Sequence, residues 1–115
     1  MTRVALVTGA SRGIGAAIAS AFLAEGYAVA GCGRSAAADE PVEALDYRVC
    51  DLADPAAISG LVAAVGEAHG RLDVLVNNAA VEVDATVEDT SVAQWDETLA
   101  VNVRAPGLLL SLIHI

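Results

Sequence analysis

Thr8-Gly9-Ala10-Ser11-Arg12-Gly13-Ile14-Gly15 decides the fold of this chain. Before it stands Val4-Ala5-Leu6-Val7, a short unbroken apolar run. Such a run suits a strand buried on both faces of a parallel sheet better than the alternation of a half-exposed one, and the strand is read as ending at Thr8. After it, Ile14, Ala17, Ile18, Ala21 and Phe22 recur at three- and four-residue intervals, and Gly26 stands where a helix C-terminal glycine belongs. The spacing predicts a helix from Gly13 to Glu25. The glycines therefore lie on a strand-to-helix turn. There, missing Cβ atoms let backbone approach a phosphate, and the unpaired N–H groups of the first helical turn point at its charge.

Outward from the turn the same alternation continues. Tyr27 to Cys32 reads as a second strand and Leu45 to Cys50 as a third. Gly33 to Asp46 between them, with Ala36-Ala37-Ala38, acidic residues and Pro41, holds at most a turn or two of helix. Asp54-Pro55 is an N-cap with proline at the first helical position, and Ile58, Leu61, Val62 and Val65 mark one face of a helix that closes at Gly70. Leu72 to Val76 is a fourth strand, stopped by Asn77-Asn78. Ser91 with Gln94 forms a capping box for a last helix whose Trp95, Leu99, Asn102 and Val103 share an apolar face, on which Asn102 is expected to be buried. Pro106-Gly107 is expected to kink or fray it. Strands alternating with helices across short loops imply right-handed βαβ crossovers and a parallel sheet.

Composition bounds the function. The 115 residues suffice for one domain, and 56% hydrophobic content excludes a disordered or fibrous chain. Fifteen acidic residues against six basic ones give a formal net charge of −9, so neither nucleic acid nor an anionic membrane suits the surface as a partner. No run approaches the ~20 apolar residues of a membrane span, and no secretory leader pattern opens the chain. Cys32 and Cys50 are too few for a disulfide framework and match no zinc spacing, so the expected setting is the reducing cytoplasm, with no metal. Every basic residue is an arginine; there is no lysine.

The turn from Thr8 to Gly15, then Asp51-Leu52 after the third strand, then Asn77-Asn78-Ala79-Ala80 after the fourth, then Asn102 in the following helix, occur in that order. This set resembles the short-chain dehydrogenase/reductase family, over Arg3 to about Leu109. The resemblance implies an α/β fold, a Rossmann-type doubly wound parallel sheet with strand order 3-2-1-4, incomplete in the part present. It implies that Gly9, Gly13 and Gly15 shape a pyrophosphate turn to which Ser11 and Ile14 add contacts. Asp51 would accept from the adenine amino group, with Leu52 lining that pocket. Asn78 and Ala79 would lie against the ribose and the nicotinamide half. Ala80 stands where the family usually has glycine, which requires a negative φ there. Asn102 would hold a water in a proton relay; a structural hydrogen bond across its helix is the other reading of that residue.

Cofactor choice rests on the end of the second strand. A carboxylate there normally accepts from the ribose 2′-hydroxyl and repels a 2′-phosphate; this chain has Gly33, followed by Arg34, with Arg12 in the neighbouring turn. Two guanidiniums can fork around one phosphate, each contact worth about 1.5–3 kcal/mol, so NADP(H) is expected over NAD(H). The family's acid/base tyrosine, the lysine four residues after it and an upstream serine have no counterpart here. Tyr27 and Tyr47 fall in strands, and neither precedes a lysine. The expectation is a cofactor-binding half, residues 1–109, of an NADP(H)-dependent reductase acting on a small carbonyl or secondary alcohol. It would be similar in a generic way to 3-oxoacyl-carrier-protein reductases, a homo-oligomer at full length, and inactive as these 115 residues alone. Residues 110–115 are expected to be a non-native tail, since Leu110-Ser111-Leu112-Ile113-His114-Ile115 is what one frame of a sequencing adapter would encode; His114 would then have no function. A non-catalytic NADP(H)-binding or redox-sensing protein is the alternative. A methyltransferase fits the glycine turn but leaves Asn77-Asn78 and Asn102 unexplained.

Overall fold

In the computed structural model, which describes residues 1–113, four parallel strands form one sheet in the order β3-β2-β1-β4. They are β1 (Val4–Thr8), β2 (Ala28–Gly33), β3 (Asp46–Val49) and β4 (Val74–Val76). β1 is central and buried at all five positions, which is why its sequence is apolar without alternation. Val4 and Leu6 face one layer, built on Ile58, Leu61 and Val65 of α2 (Pro55–His69) with Ala105 and Leu109 of α4 (Ala105–Leu112). Ala5 and Val7 face the other, where Ala19, Ile18 and Phe22 of α1 (Gly13–Ala24) pack. Helices therefore cover both faces, as the doubly wound expectation requires.

Several boundaries differ from the sequence reading for local reasons. α1 buries Gly15, Ala16 and Ala19, with Ile14 73% exposed. The fully buried stripe is made of small residues, which let the helix lie close to the sheet; of the expected stripe Ile18 and Phe22 pack on the core, while Ile14, Ala17 and Ala21 are exposed. β2 begins after Tyr27, whose ring meets Phe22 edge-on at 4.9 Å, and it reaches Gly33. β4 begins at Val74 rather than Leu72; just before it the Asp73 N–H donates to the Val4 carbonyl at 2.9 Å, and the Asp73 carboxylate accepts from the Val4 N–H at 2.8 Å. No helix forms between β2 and β3.

The caps match their residues. The Asp54 side chain accepts from the Ala56 N–H at 3.0 Å, and Ser91 and Gln94 close a reciprocal capping box on α3 (Val92–Leu99). Pro106-Gly107 does not break the last helix; the irregularity lies one turn earlier, a π-helical turn over Ala100–Arg104. There the Ala105 N–H reaches the Ala100 carbonyl, and Pro106, whose missing N–H costs nothing in a first turn, opens α4. α4 runs to Leu112, past the expected boundary at residue 109, and His114 lies outside the described residues.

Candidate functional site

At the carboxyl ends of β1, β2 and β4 a cavity of about 380 Å³ opens, the crevice in which open α/β sheets take ligands. Of the residues anticipated from sequence, Gly9, Ser11, Arg12, Gly13, Ile14, Gly15, Arg34, Leu52, Asn78, Ala79 and Ala80 all wall it. Two do not. Asp51 is exposed beyond the wall, its carboxylate accepting from the Ala53 N–H at 3.0 Å in a turn that leads into α2. Asn102 is exposed and not buried as expected, and both ends of its amide are taken by one residue: Oδ1 accepts from the Val81 N–H at 2.8 Å, and Nδ2 donates to the Val81 carbonyl at 2.9 Å. That is a structural bond between the π-helical turn and the loop after β4, and not one across a helix.

The turn is held by close approach. Gly9 has a φ of 64°, and a Cβ on Gly15 would run into the Gly9 carbonyl oxygen and stand 2.6 Å from Asn78 Nδ2. Asn78 Nδ2 donates to the carbonyls of Thr8 and Gly9, both at 3.1 Å, which fastens the turn to the end of β4. Thr8, 2% exposed, completes the junction: its Oγ1 accepts from the Asn78 N–H at 3.1 Å and the Ala79 N–H at 3.0 Å and donates to the Val76 carbonyl at 3.4 Å. Ala80 does not have a positive φ, so its methyl is accommodated.

Charge at the site is set by two arginines and the first turn of α1. Arg12 is the N-cap residue of that helix and offers its N–H groups no side-chain acceptor. An acceptor comes instead from the loop after β2: Glu40 Oε1 accepts from the Gly13 N–H at 2.6 Å, so the turn already takes an anionic oxygen. The Arg12 guanidinium lies 3.6 Å from Asp39, and that of Arg34 lies 3.3 Å from Glu97 on α3. Gly33 leaves its place to the Tyr47 hydroxyl, which lies against it and donates to the Ser35 carbonyl at 2.9 Å. No carboxylate occupies that strand end.

Cys32, Cys50, Val81 and Val101 also wall the cavity and were not anticipated as site residues. The cysteines had one available signal, their position at the ends of neighbouring parallel strands. Burial pushes the Cys32 thiol up to about 12 and raises that of Cys50, so both stay protonated apolar lining and not nucleophiles. Among the described residues no group of three or more His, Cys, Asp or Glu side chains is placed to hold a metal, and no helix is long and apolar enough to cross a membrane.

A glycine-rich strand-to-helix turn whose helix has no cap from its own N-cap residue, fastened by an asparagine to the end of β4 in a 3-2-1-4 sheet, defines a dinucleotide-type α/β site. The chain belongs to the short chain dehydrogenase family, which it matches over residues 3–113. It is 41% identical to a D-threitol dehydrogenase of Mycolicibacterium smegmatis over 93% of this chain and 44% of that protein. It is 41% identical to a rhamnolipids biosynthesis 3-oxoacyl-[acyl-carrier-protein] reductase of Pseudomonas aeruginosa, over 90% of this chain and 43% of that one. A metagenomic short-chain oxidoreductase solved in complex with NADP superposes with a TM-score of 0.90 at 41% identity, over 96% of this chain and 54% of the other. The chain thus spans about half the length of the relatives it matches.

Proposed function

We propose that the cavity binds NADP(H) and that the protein belongs to an oxidoreductase moving hydride between the nicotinamide and a small carbonyl or secondary alcohol. The observation that carries the reading is the pairing of Arg12 and Arg34 on one cavity with a strand end that bears glycine and no carboxylate. The residues present fit the group: the Gly13 N–H already holds a carboxylate oxygen, and Ser11 to Gly15 present backbone where a pyrophosphate would approach. Arg12 and Arg34 would take the 2′-phosphate, Leu52 and the two cysteines would line the adenine end, and Asn78, Ala79 and Ala80 would meet the nicotinamide half. When bound, the cofactor supplies the hydride. Solved relatives in complex with NADP and with NADPH support the choice.

Residues 1–109 are the binding unit on this reading, within a cytoplasmic homo-oligomer that takes a small-molecule substrate. The 115 residues bind cofactor but do not turn over. Neither tyrosine is free for proton transfer at the cavity: the Tyr47 hydroxyl is bonded to Ser35, and Tyr27 stacks on Phe22 at the opposite end of β2. The test is a fluorescence titration with NADPH and NADH. Arg34→Ala should weaken NADPH binding by roughly tenfold, as loss of one charge-assisted contact implies, and leave NADH within about twofold. Equal losses for both would remove the 2′-phosphate assignment.

A further inference from the structure

The loop between β2 and β3 reaches the glycine turn through two adjacent acids. The Glu40 N–H donates to the Ser11 carbonyl at 2.8 Å, and the Glu40 carboxylate accepts from the Gly13 N–H at 2.6 Å. Asp39, the residue before it, is 3.6 Å from the Arg12 guanidinium. Three successive residues of the turn are thus engaged by two successive residues of the loop. These engage the groups that would bind phosphate: an N–H of the first turn of α1 and the guanidinium beside it.

We propose that Asp39 and Glu40 are an internal stand-in for the cofactor's phosphates, a clasp that competes with the dinucleotide and sets both its affinity and its 2′-phosphate preference. The physical case is that α1 has no side-chain cap of its own, so an anionic oxygen at its N-terminus is favoured, and only one anion can occupy the Gly13 N–H. Glu40 is exposed and 27 residues away from Gly13 in sequence, so nothing local holds its carboxylate there except the turn itself. The two acids act on different parts of the ligand. Glu40 competes with the pyrophosphate, common to NADPH and NADH; Asp39 competes for Arg12, which only the 2′-phosphate needs. The clasp rests on the NADP(H) reading above.

The experiment is a titration of the chain and its Glu40→Ala, Glu40→Gln and Asp39→Ala variants with NADPH and with NADH, the fold of each checked by far-ultraviolet circular dichroism. Glu40→Ala should bind both cofactors about three- to fivefold more tightly, the size expected for release of an exposed anion from a helix N-terminus, and Asp39→Ala should tighten NADPH alone. Glu40→Gln, which keeps the side-chain length but not the charge, should show the same direction and carries the test if the alanine variant does not fold. Unchanged or weaker binding in the Glu40 variants would overturn the clasp and make Glu40 a cap that the site requires. A gain for NADH from Asp39→Ala would overturn the division of roles. If the parent chain binds neither cofactor, the NADP(H) reading fails first, and the clasp with it.

Discussion

The hydroxyl of Thr8 accepts from two backbone N–H groups of the segment after β4, and at 2% exposure it has no water to replace them. Thr8→Val keeps the shape and removes the acceptor, leaving the Ala79 N–H unpaired and the Asn78 N–H with the Val76 carbonyl alone, at 3.1 Å. The variant should lose about 2 kcal/mol in urea unfolding, and Thr8→Ser should recover most of it; a Thr8→Val loss within the error of the measurement would contradict the assigned bonds. At this scale the sequence was informative where the constraint is local. Gly9 and Gly15 could be assigned to a tight turn because that turn tolerates no Cβ, whereas Asn78 was placed by resemblance and its bonds to Thr8 and Gly9 join positions about 70 residues apart. It was silent where partners come from distant positions: Glu40 on Gly13, or both amide atoms of Asn102 on Val81, follow from no spacing. Asp51 lies between these cases: the turn bond of its Oδ1 to the Ala53 N–H is local chemistry visible in sequence, while the adenine contact that the resemblance implies calls on a carboxylate that still has an oxygen to offer.

β3 and α2 meet through a carboxylate at their ends. Burial alone would lift the Asp46 carboxyl, but hydrogen bonds from His69 at the end of α2 and from Arg48 two residues along β3 outweigh it and hold the group below the usual carboxylate range. A lowered folded-state pKa contributes stability that is present above the unfolded value of about 3.9 and is lost as pH falls through the folded one. The melting temperature of the parent should therefore exceed that of Asp46→Asn at pH 6, and the gap should close below about pH 4; a gap of constant size down to pH 3 would contradict this. The elements themselves were legible to the extent that caps are local. Asp54-Pro55 and Ser91 with Gln94 placed two helix starts, and the buried β1 was an unbroken apolar run. The π-helical turn was not legible, because it arises from how α3 must pass from exposed surface to the buried Ala105 and Leu109, a tertiary demand that moves the irregularity upstream of Pro106. The buried face of α1 was read in part, at Ile18 and Phe22, and missed at Gly15, Ala16 and Ala19, since close packing on the sheet selects glycine and alanine, which carry little hydrophobic signal.

The molecule as a whole places a glycine-walled cavity at the carboxyl edge of a four-stranded sheet, with Arg12, Arg34 and Asn78 among its walls. The parallel sheet could be anticipated from strands alternating with helices across short loops, whereas the strand order 3-2-1-4 was what the family resemblance implied. The exposed Val92, Trp95, Leu99 and Val103 show that α3 and the turn after it present apolar surface that no described residue covers. The central claim, that this crevice is a dinucleotide site, is tested most directly by adding NADPH to ¹⁵N-labelled chain and following each backbone amide by nuclear magnetic resonance. The largest shifts should fall on Ser11 to Gly15, Arg34, Leu52 and Asn78 to Val81, while His69 and the end of α2 stay still. Shifts absent at saturating cofactor, or concentrated outside those segments, would contradict it.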